Sequence, residues 1–446
     1  MMAVTPDPQR DLPPSLSIDE AMELATSLHG AGHHADAFAV YRRVLALVPE
    51  HPDALHFMGV LAHQEGHDED ALRLMAHSLE LVPNHAGYRT NLGNLLLDCE
   101  RFEDAEQQYR QALALDSQRP DALHNYAVLC KALSRFADAE RCLLSAIELA
   151  PDFAQARNTL AGLYIKLGRI EESVQQACAA LVCEPKNPHT REMLGMAQCL
   201  LGHPEEAARI YREWLAEEPD HPKALHYLAA CTGQGIPVRA SDAYVQCTFD
   251  QFATSFDSRL ALLEYRAPTL VGEAVAGCLG TPAATLTVLD VGCGTGLCAA
   301  PLKPFARTLT GVDLSQGMLD KARGRGLYDD LQQAELCAYM QQQPGRYDLI
   351  VSADTLVYFG VLEEALGSAA GALRSGGHLC FTVEALAAGE TDRYRLQHHG
   401  RYAHSRDYLA ELLSQVGLAV RRLESVVLRS DAGRPVAGWL VLAHKS

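Results

Sequence analysis

The 446-residue chain is 48% apolar and carries 38 Lys and Arg against 56 Asp and Glu, for a formal net charge of −18. That length asks for two or three domains, each able to bury a full core. No run of about 18 apolar residues occurs, and the start has no basic patch followed by an apolar stretch, so the expectation is a soluble, cytoplasmic protein with no membrane contact.

The 13 cysteines are odd in number and form no CxxC pair, which suggests neither a disulfide framework nor a zinc site, so no metal is expected. The acidity is uneven: residues 1–240 hold 34 acidic and 20 basic side chains, and the remainder 22 and 18. Backbone binding by nucleic acid relies on Lys and Arg displacing counterions, so nucleic acid is excluded as a partner of the acidic half, whereas a basic protein is not.

Residues 1–16 are proline-containing and read as a flexible tail. A period then appears. Pro49, Pro83, Pro151, Pro185 and Pro219 fall on a 34-residue spacing whose missing member is Ser117. Twelve residues ahead stand Ala37, Ala71, Ala105, Ala139, Ser173 and Ala207, and eight ahead stand Tyr41, Met75, Tyr109, Leu143, Ala177 and Tyr211. Gly59, Gly93 and Gly195 occupy a small site in the preceding helix, where two helices must approach closely. The pattern resembles the tetratricopeptide repeat, a helix-turn-helix unit that stacks into a solenoid with a peptide-binding groove. Six repeats and a capping helix from Pro222 to about Cys231 are expected within residues 17–232. The words PDALH, PDALH and PKALH put His56, His124 and His226 at one repeat position; with His29, His63, Asn94 and Lys131 they are expected to line the groove and meet a protein partner or water.

TGQGIPVRA, 232–240, mixes glycine and proline without a period and marks the boundary to a second domain, 233–446. Ser241 reads as the N-cap of a helix whose Phe249, Phe252 and Phe256 form its apolar face, and a second helix spans Pro268 to Cys278; together they form a lid over the ligand cradle of this domain. Strands are expected at Leu286 to Val291, Leu309 to Asp313, Glu335 to Cys337, Asp348 to Ser352 and His378 to Val383, alternating with helices, which describes a parallel α/β sheet. Leu418 to Leu428 and Val436 to Ala443, joined by a turn at SDAGRP, add an antiparallel pair at the end.

The first strand ends in DVGCGTG, with Gly292, Gly294 and Gly296 permitting close approach of a ligand to backbone N–H groups. Asp290 is placed to hold an ammonium group or to cap nearby N–H groups, and Asp313, after the second strand, to accept both hydroxyls of a ribose. NAD and S-adenosylmethionine both fit that far. A dinucleotide fingerprint would need its third glycine where Leu297 stands, which tilts the reading from pyrophosphate towards a zwitterionic methionyl end.

DVGCGTG, TGVDLS and ALRSGG resemble the motifs of class I S-adenosylmethionine-dependent methyltransferases. With FDQFATSFDSRLALLEYRAP, SADTLVYFG and GRYAHSRDYL in order, the whole chain resembles predicted methyltransferases that bacteria fuse to tetratricopeptide repeats, and its second half a small single-domain methyltransferase group in animals. The resemblance implies a multidomain protein, an all-α solenoid followed by a Rossmann-like α/β domain. It implies S-adenosylmethionine as cofactor, with Asp290, Gly292, Cys293 and Gly294 at the methionyl end, Asp313 on the ribose, and Leu314, Glu335 and Leu336 around the adenine. Asp354, Thr355 and Tyr358 would face the transferable methyl. ALRSGG lacks the proline of the commoner LRPGG, which loosens a turn without touching the site.

The cationic run Arg393 to Arg406 has two readings. It is a substrate loop that recognises a carboxylate or phosphate and offers His404 or Tyr402 near the methyl, or a solvated connection before a helix that Ser405 caps. The acceptor is read as a protein, a carrier-bound group or a small molecule, with the repeats binding substrate or partner. A rival of another class is an assembly scaffold with a vestigial cofactor site.

Overall fold

The computed structural model describes residues 16–250, 256–257, 260, 263–387, 389–431 and 434–446. Nearly all of the expected tail, Phe252, and the centre of the SDAGRP turn lie outside the described residues. The chain divides into two compact units, Met1–Ala156 and Arg157–Ser446.

The first unit is helical throughout its described residues. Ser17 opens it with a reciprocal cap, its side chain accepting from the Glu20 N–H while Glu20 accepts from the Ser17 N–H. Proline at the first helical turn starts Pro52–Gln64 and Pro120–Ala132, where no N–H is needed. The repeat pattern works by size matching. A Cβ on Gly59 would lie 2.6 Å from Met75 Cγ, and one on Gly93 2.7 Å from the Tyr109 ring. One repeat on, Ala127 stands at the small site and the large site shrinks to Leu143, both fully buried. The first repeat departs from this trade, keeping Tyr41 with Ala25.

His56 and His124 do not line an open groove as expected; they are 1% and 4% exposed. Each first helix packs on the next, and the repeat position lies at that seam. His56 Nε2 is 2.9 Å from Asn91 Nδ2, and its ring stacks on Tyr88 at 3.8 Å. Burial pushes the His56 imidazole down to about 3. His29 and His63 stay partly exposed, His63 bridging Asp68 and Asp98.

In the second unit, helices Ile170–Cys183, Pro188–Leu200, Pro204–Glu217 and Pro222–Thr232 complete the repeats. Gly195 again meets a large partner, its Cβ position 2.3 Å from Tyr211 Cζ. Helix Asp242–Asp250 follows, its N-terminus capped by Ser241, whose Oγ accepts from the Tyr244 N–H, and then helix Ala267–Leu279. The strands among the described residues are β1 Leu286–Val291, β2 Ala306–Asp313, β3 Asp330–Gln333, β4 Tyr347–Ser352, β5 Leu373–Ala385, β6 Tyr394–Leu396, β7 Tyr402–His404, β8 Leu418–Asp431 and β9 Arg434–Lys445. β3-β2-β1-β4-β5 run parallel; β9 is antiparallel to β5 and β8 to β9.

The expected strand at Glu335 to Cys337 is not one. The third strand is Asp330–Gln333, exposed at the sheet edge and so without an apolar signature, and Glu335 caps helix Leu336–Gln341 by accepting from the Ala338 N–H at 2.8 Å. The hairpin β6-β7 was not anticipated either. Glu384 of β5 pairs with Gly438 of β9 on one edge and with Ala403 of β7 on the other. β7 therefore takes the edge that β4 occupies up to Ser352, which sets the hairpin beyond the end of β4. Apolar side chains from both ends of this unit share one core: Tyr211, Trp214 and Tyr227 of the repeats cluster with Leu289, Ile350 and Phe381 of the sheet. Among the described residues no helix is long and apolar enough to cross a membrane.

Candidate active site

A cavity of about 1030 Å³, counted to include its open mouth, lies beyond the carboxyl ends of β1, β2 and β4. The turn after β1 forms its floor. Gly292 adopts φ +68°, and a Cβ there would fall 2.2 Å from the Thr355 side chain. Gly294, at φ +54°, has nothing within 4 Å of its Cβ position and borders the cavity. Four N–H groups of this turn are already used: Gly292 and Cys293 donate to Val312 O, Gly296 to Cys293 O, and Gly294 to Asp313 Oδ2 at 2.8 Å. For the three glycines and Cys293 the expectation that their N–H groups face a ligand is thus corrected. The helix after the turn, Ala299–Leu302, is a single turn with little dipole to offer an anion.

What the cavity presents instead is carboxylate oxygen. Asp313, at the end of β2, accepts from Gly294 and Ser315 N–H groups and keeps a further lone pair on each oxygen. Burial lifts its carboxyl above the usual carboxylate range, against the backbone N–H donors that lower it. Glu335 borders the cavity with Oε2 spent on its helix cap and Oε1 buried and unpartnered. Asp354, after β4, is held at φ +58° with its N–H on Thr382 Oγ1, and its Oδ1 is likewise buried and unpartnered. Positive φ is uncommon for a non-glycine residue, and here it stands at the cavity wall.

A family pattern described as "Methyltransferase domain" matches residues 262–423, and patterns described as "Tetratricopeptide repeat" match 28–95, 85–115 and 131–188. The chain carries a methyltransferase domain behind tetratricopeptide repeats. Methyltransferase-like protein 27 of Homo sapiens is 38% identical over 128 residues, 27% of this chain and 49% of the human protein. Aklanonic acid methyltransferase DauC of Streptomyces sp. (strain C5) is 28% identical over 148 residues, 32% of this chain and 65% of that protein. The chain thus spans less than two thirds of the length of these relatives. Among solved structures, an S-adenosylmethionine dependent methyltransferase from Mesorhizobium loti aligns with 39% of this chain and 96% of its own at TM-score 0.33 and 23% identity.

Within the methyltransferase domain, Gly292, Cys293, Gly294, Asp313, Leu314, Glu335, Leu336, Asp354, Thr355 and Tyr358 all line the cavity. Asp290 and Gly296 do not. Asp290 is buried behind the turn, its Oδ2 accepting from Tyr328 OH at 2.6 Å, and burial pushes its carboxyl up to about 7. Gly296 packs against Tyr328 and Ala322 on the same hidden side. Phe249 and Phe256 border the cavity as the expected lid, Phe249 edge-on to Tyr358 at 5.5 Å. The lid is latched: Asp250 accepts from Ser315 OH, and Asp257 from Thr295 OH and Arg325.

Tyr402 and His404 are not at the cavity. Tyr402 is fully buried and its OH donates to Pro237 O at 2.6 Å, while His404, equally buried, stacks beside Tyr408 and is pushed down to about 4 by desolvation. β7 turns both into the core because it is paired to β5. Arg401, the residue before β7, lines the cavity instead, with its guanidinium 3.4 Å from Asp354 Oδ2 and 3.5 Å from Glu384 Oε1. Arg429 of β8 closes the group by pairing with both carboxylates. Burial opposes ionisation of Glu384, but Arg429, His399 and Arg401 hold its carboxyl below the usual range. A lone Glu in FTVEA and a lone Arg in VVLRS were the available signals: a charge within an otherwise apolar strand needs a buried partner.

Proposed function

We propose that the protein transfers a methyl group from S-adenosylmethionine to an acceptor, through a domain that spans residues 233–446. The observation that carries this is the cavity's acceptor set: the three glycines of the turn and Cys293 have spent their N–H groups, while Asp313, Glu335 and Asp354 offer carboxylate oxygens to the cavity. A pyrophosphate at the turn would face the Asp313 carboxylate, since the cavity's cations, Arg239 and Arg401, are engaged with Asp242 and with Asp354 and Glu384. A ligand bringing two ribose hydroxyls, an exocyclic amino group and an ammonium supplies the matching donors.

In this reading Asp313 holds the ribose diol, Glu335 Oε1 accepts from the adenine amino group, and Leu314 and Leu336 flank the base. When bound, the cofactor supplies a methyl group already activated on a sulfonium. The chain's part is to orient the acceptor and exclude water, which Tyr358, Phe249 and Phe256 do at the mouth. Asp354 Oδ1 is the atom able to take a proton from an acceptor hydroxyl or amine. The repeats, residues 17–232, bind a protein or peptide partner or a carrier that delivers the acceptor.

Calorimetry of the full chain with S-adenosylmethionine and S-adenosylhomocysteine tests this, with release of S-adenosylhomocysteine as the turnover readout. Micromolar binding is expected. Absence of binding by the folded protein would sink the enzyme reading and leave an assembly scaffold.

A further inference from the structure

The hairpin that carries Arg401 to the cavity is held at its tip by the repeats. Its loop is closed by Gln397 N–H on Arg401 O at 2.8 Å and Gly400 N–H on Gln397 O at 2.9 Å. The Gly400 carbonyl is buried and lies 2.8 Å from Nε2 of His226, on the capping helix Pro222–Thr232. A carbonyl only accepts, so His226 Nε2 carries the proton; burial holds this imidazole below its usual range and so neutral. Gly400 stands at φ +83°, and a Cβ on it would fall 2.5 Å from Tyr244 Oη and 3.2 Å from the Tyr227 ring. Tyr402 OH, bonded to Pro237 O, ties the other side of the loop to the segment between repeats and sheet.

His226 is the third copy of the histidine that the repeat words place at His56 and His124. At His56 the next repeat covers the ring and supplies Asn91 as its partner. The capping helix has no repeat after it: Tyr244 of helix Asp242–Asp250 covers the His226 ring, centroids 4.0 Å apart, and the hairpin supplies the hydrogen-bond partner. Arg401 itself is held loosely by its ion partners, at 3.4 and 3.5 Å, whereas Arg429 satisfies Glu384 closely. The Arg401 guanidinium also lies over the Tyr358 ring, 6.0 Å from the centroid, so the loop and Tyr358 together set where it sits.

We propose that the last repeat helix is a working part of the methyl-transfer pocket, with His226 as a positioning residue that holds Gly400 and thereby sets Arg401 beside Asp354 and Tyr358. The inference rests on the reading of the cavity as a methyl-donor site. It also implies that a fragment begun at residue 241 lacks a support its pocket needs.

The test uses the full chain with His226→Phe, which keeps a ring and loses the donor, and His226→Gln, which keeps an N–H. Hydrogen exchange of peptides over 397–402 should rise about tenfold in His226→Phe, the loss of one hydrogen bond, while peptides over 286–296 stay unchanged, and His226→Gln should recover most of the protection. S-adenosylhomocysteine affinity should fall about fivefold in His226→Phe and more in Arg401→Ala, with the double variant no weaker than Arg401→Ala alone. Additive losses, unchanged exchange over 397–402, or protection lost evenly across the domain would overturn the proposal. Failure of the wild type to bind S-adenosylhomocysteine would remove the methyl-donor reading, and the exchange data would still decide whether His226 holds the loop.

Discussion

Replacing Asp313 by alanine removes the acceptor at the centre of the proposed cofactor site. In the free protein its carboxylate takes the Gly294 and Ser315 N–H groups at 2.8 and 2.9 Å, leaving one lone pair on each oxygen for a ligand hydroxyl. Hydrogen bonds to a charged acceptor contribute about 1.5–3 kcal/mol each, so two ribose hydroxyls are worth about 3–6 kcal/mol at this residue. At 1.4 kcal/mol per decade that is a loss of about 10²- to 10⁴-fold in affinity. Titration calorimetry with S-adenosylhomocysteine reads it directly, and thermal melting alongside shows whether the variant is folded. Asp313→Asn, which keeps one acceptor oxygen, should fall between wild type and alanine. A loss below about tenfold in a folded Asp313→Ala would refute the ribose assignment.

Glu335→Gln must use its single oxygen either for the Ala338 cap or for the ligand, so S-adenosylhomocysteine should bind about five- to tenfold more weakly by calorimetry; unchanged affinity would remove Glu335 from the adenine. Gly195→Ala sets a methyl against Tyr211, which is 1% exposed, and should cost about 1–3 kcal/mol in a melting experiment, with Tyr211→Leu restoring part of it as Leu143 does opposite Ala127. Asp290 has its carboxyl raised to about 7 by burial. Unfolded, it titrates near 4. The folded state therefore binds the extra proton between those values, and stability falls as pH rises through that window, by up to about 4 kcal/mol above pH 7. Urea unfolding of ligand-free wild type and Asp290→Asn at pH 5 and pH 8 should show this slope in the wild type only; parallel pH dependence would contradict it.

The repeats were legible because their signal is periodic and local. Helices Pro52–Gln64 and Asp68–Leu81 follow from a proline, a small residue and a large one at set spacings, and packing of each unit depends on its neighbour in sequence. The glycine turn and Asp313 were legible for a related reason: strand, turn and carboxylate stand in one short stretch, and a parallel sheet brings strand ends to one side. Glu335 borders the cavity from a helix cap and not from the strand expected there, since a cap and a short edge strand look alike in three residues.

Sequence alone thus determined the two architectures and the small-to-large matching between helices, all properties of residues close in the chain. Only the tertiary structure decided that the turn's glycine N–H groups are spent inside the protein, that Arg401 rather than Tyr402 or His404 reaches the cavity, and that His226 meets Gly400, 174 residues away. Side-chain direction in β7 depends on which edge of β5 it pairs with, and the cover over His226 depends on which element packs against the last repeat. Both are set by long-range packing, which spacing along the chain does not encode.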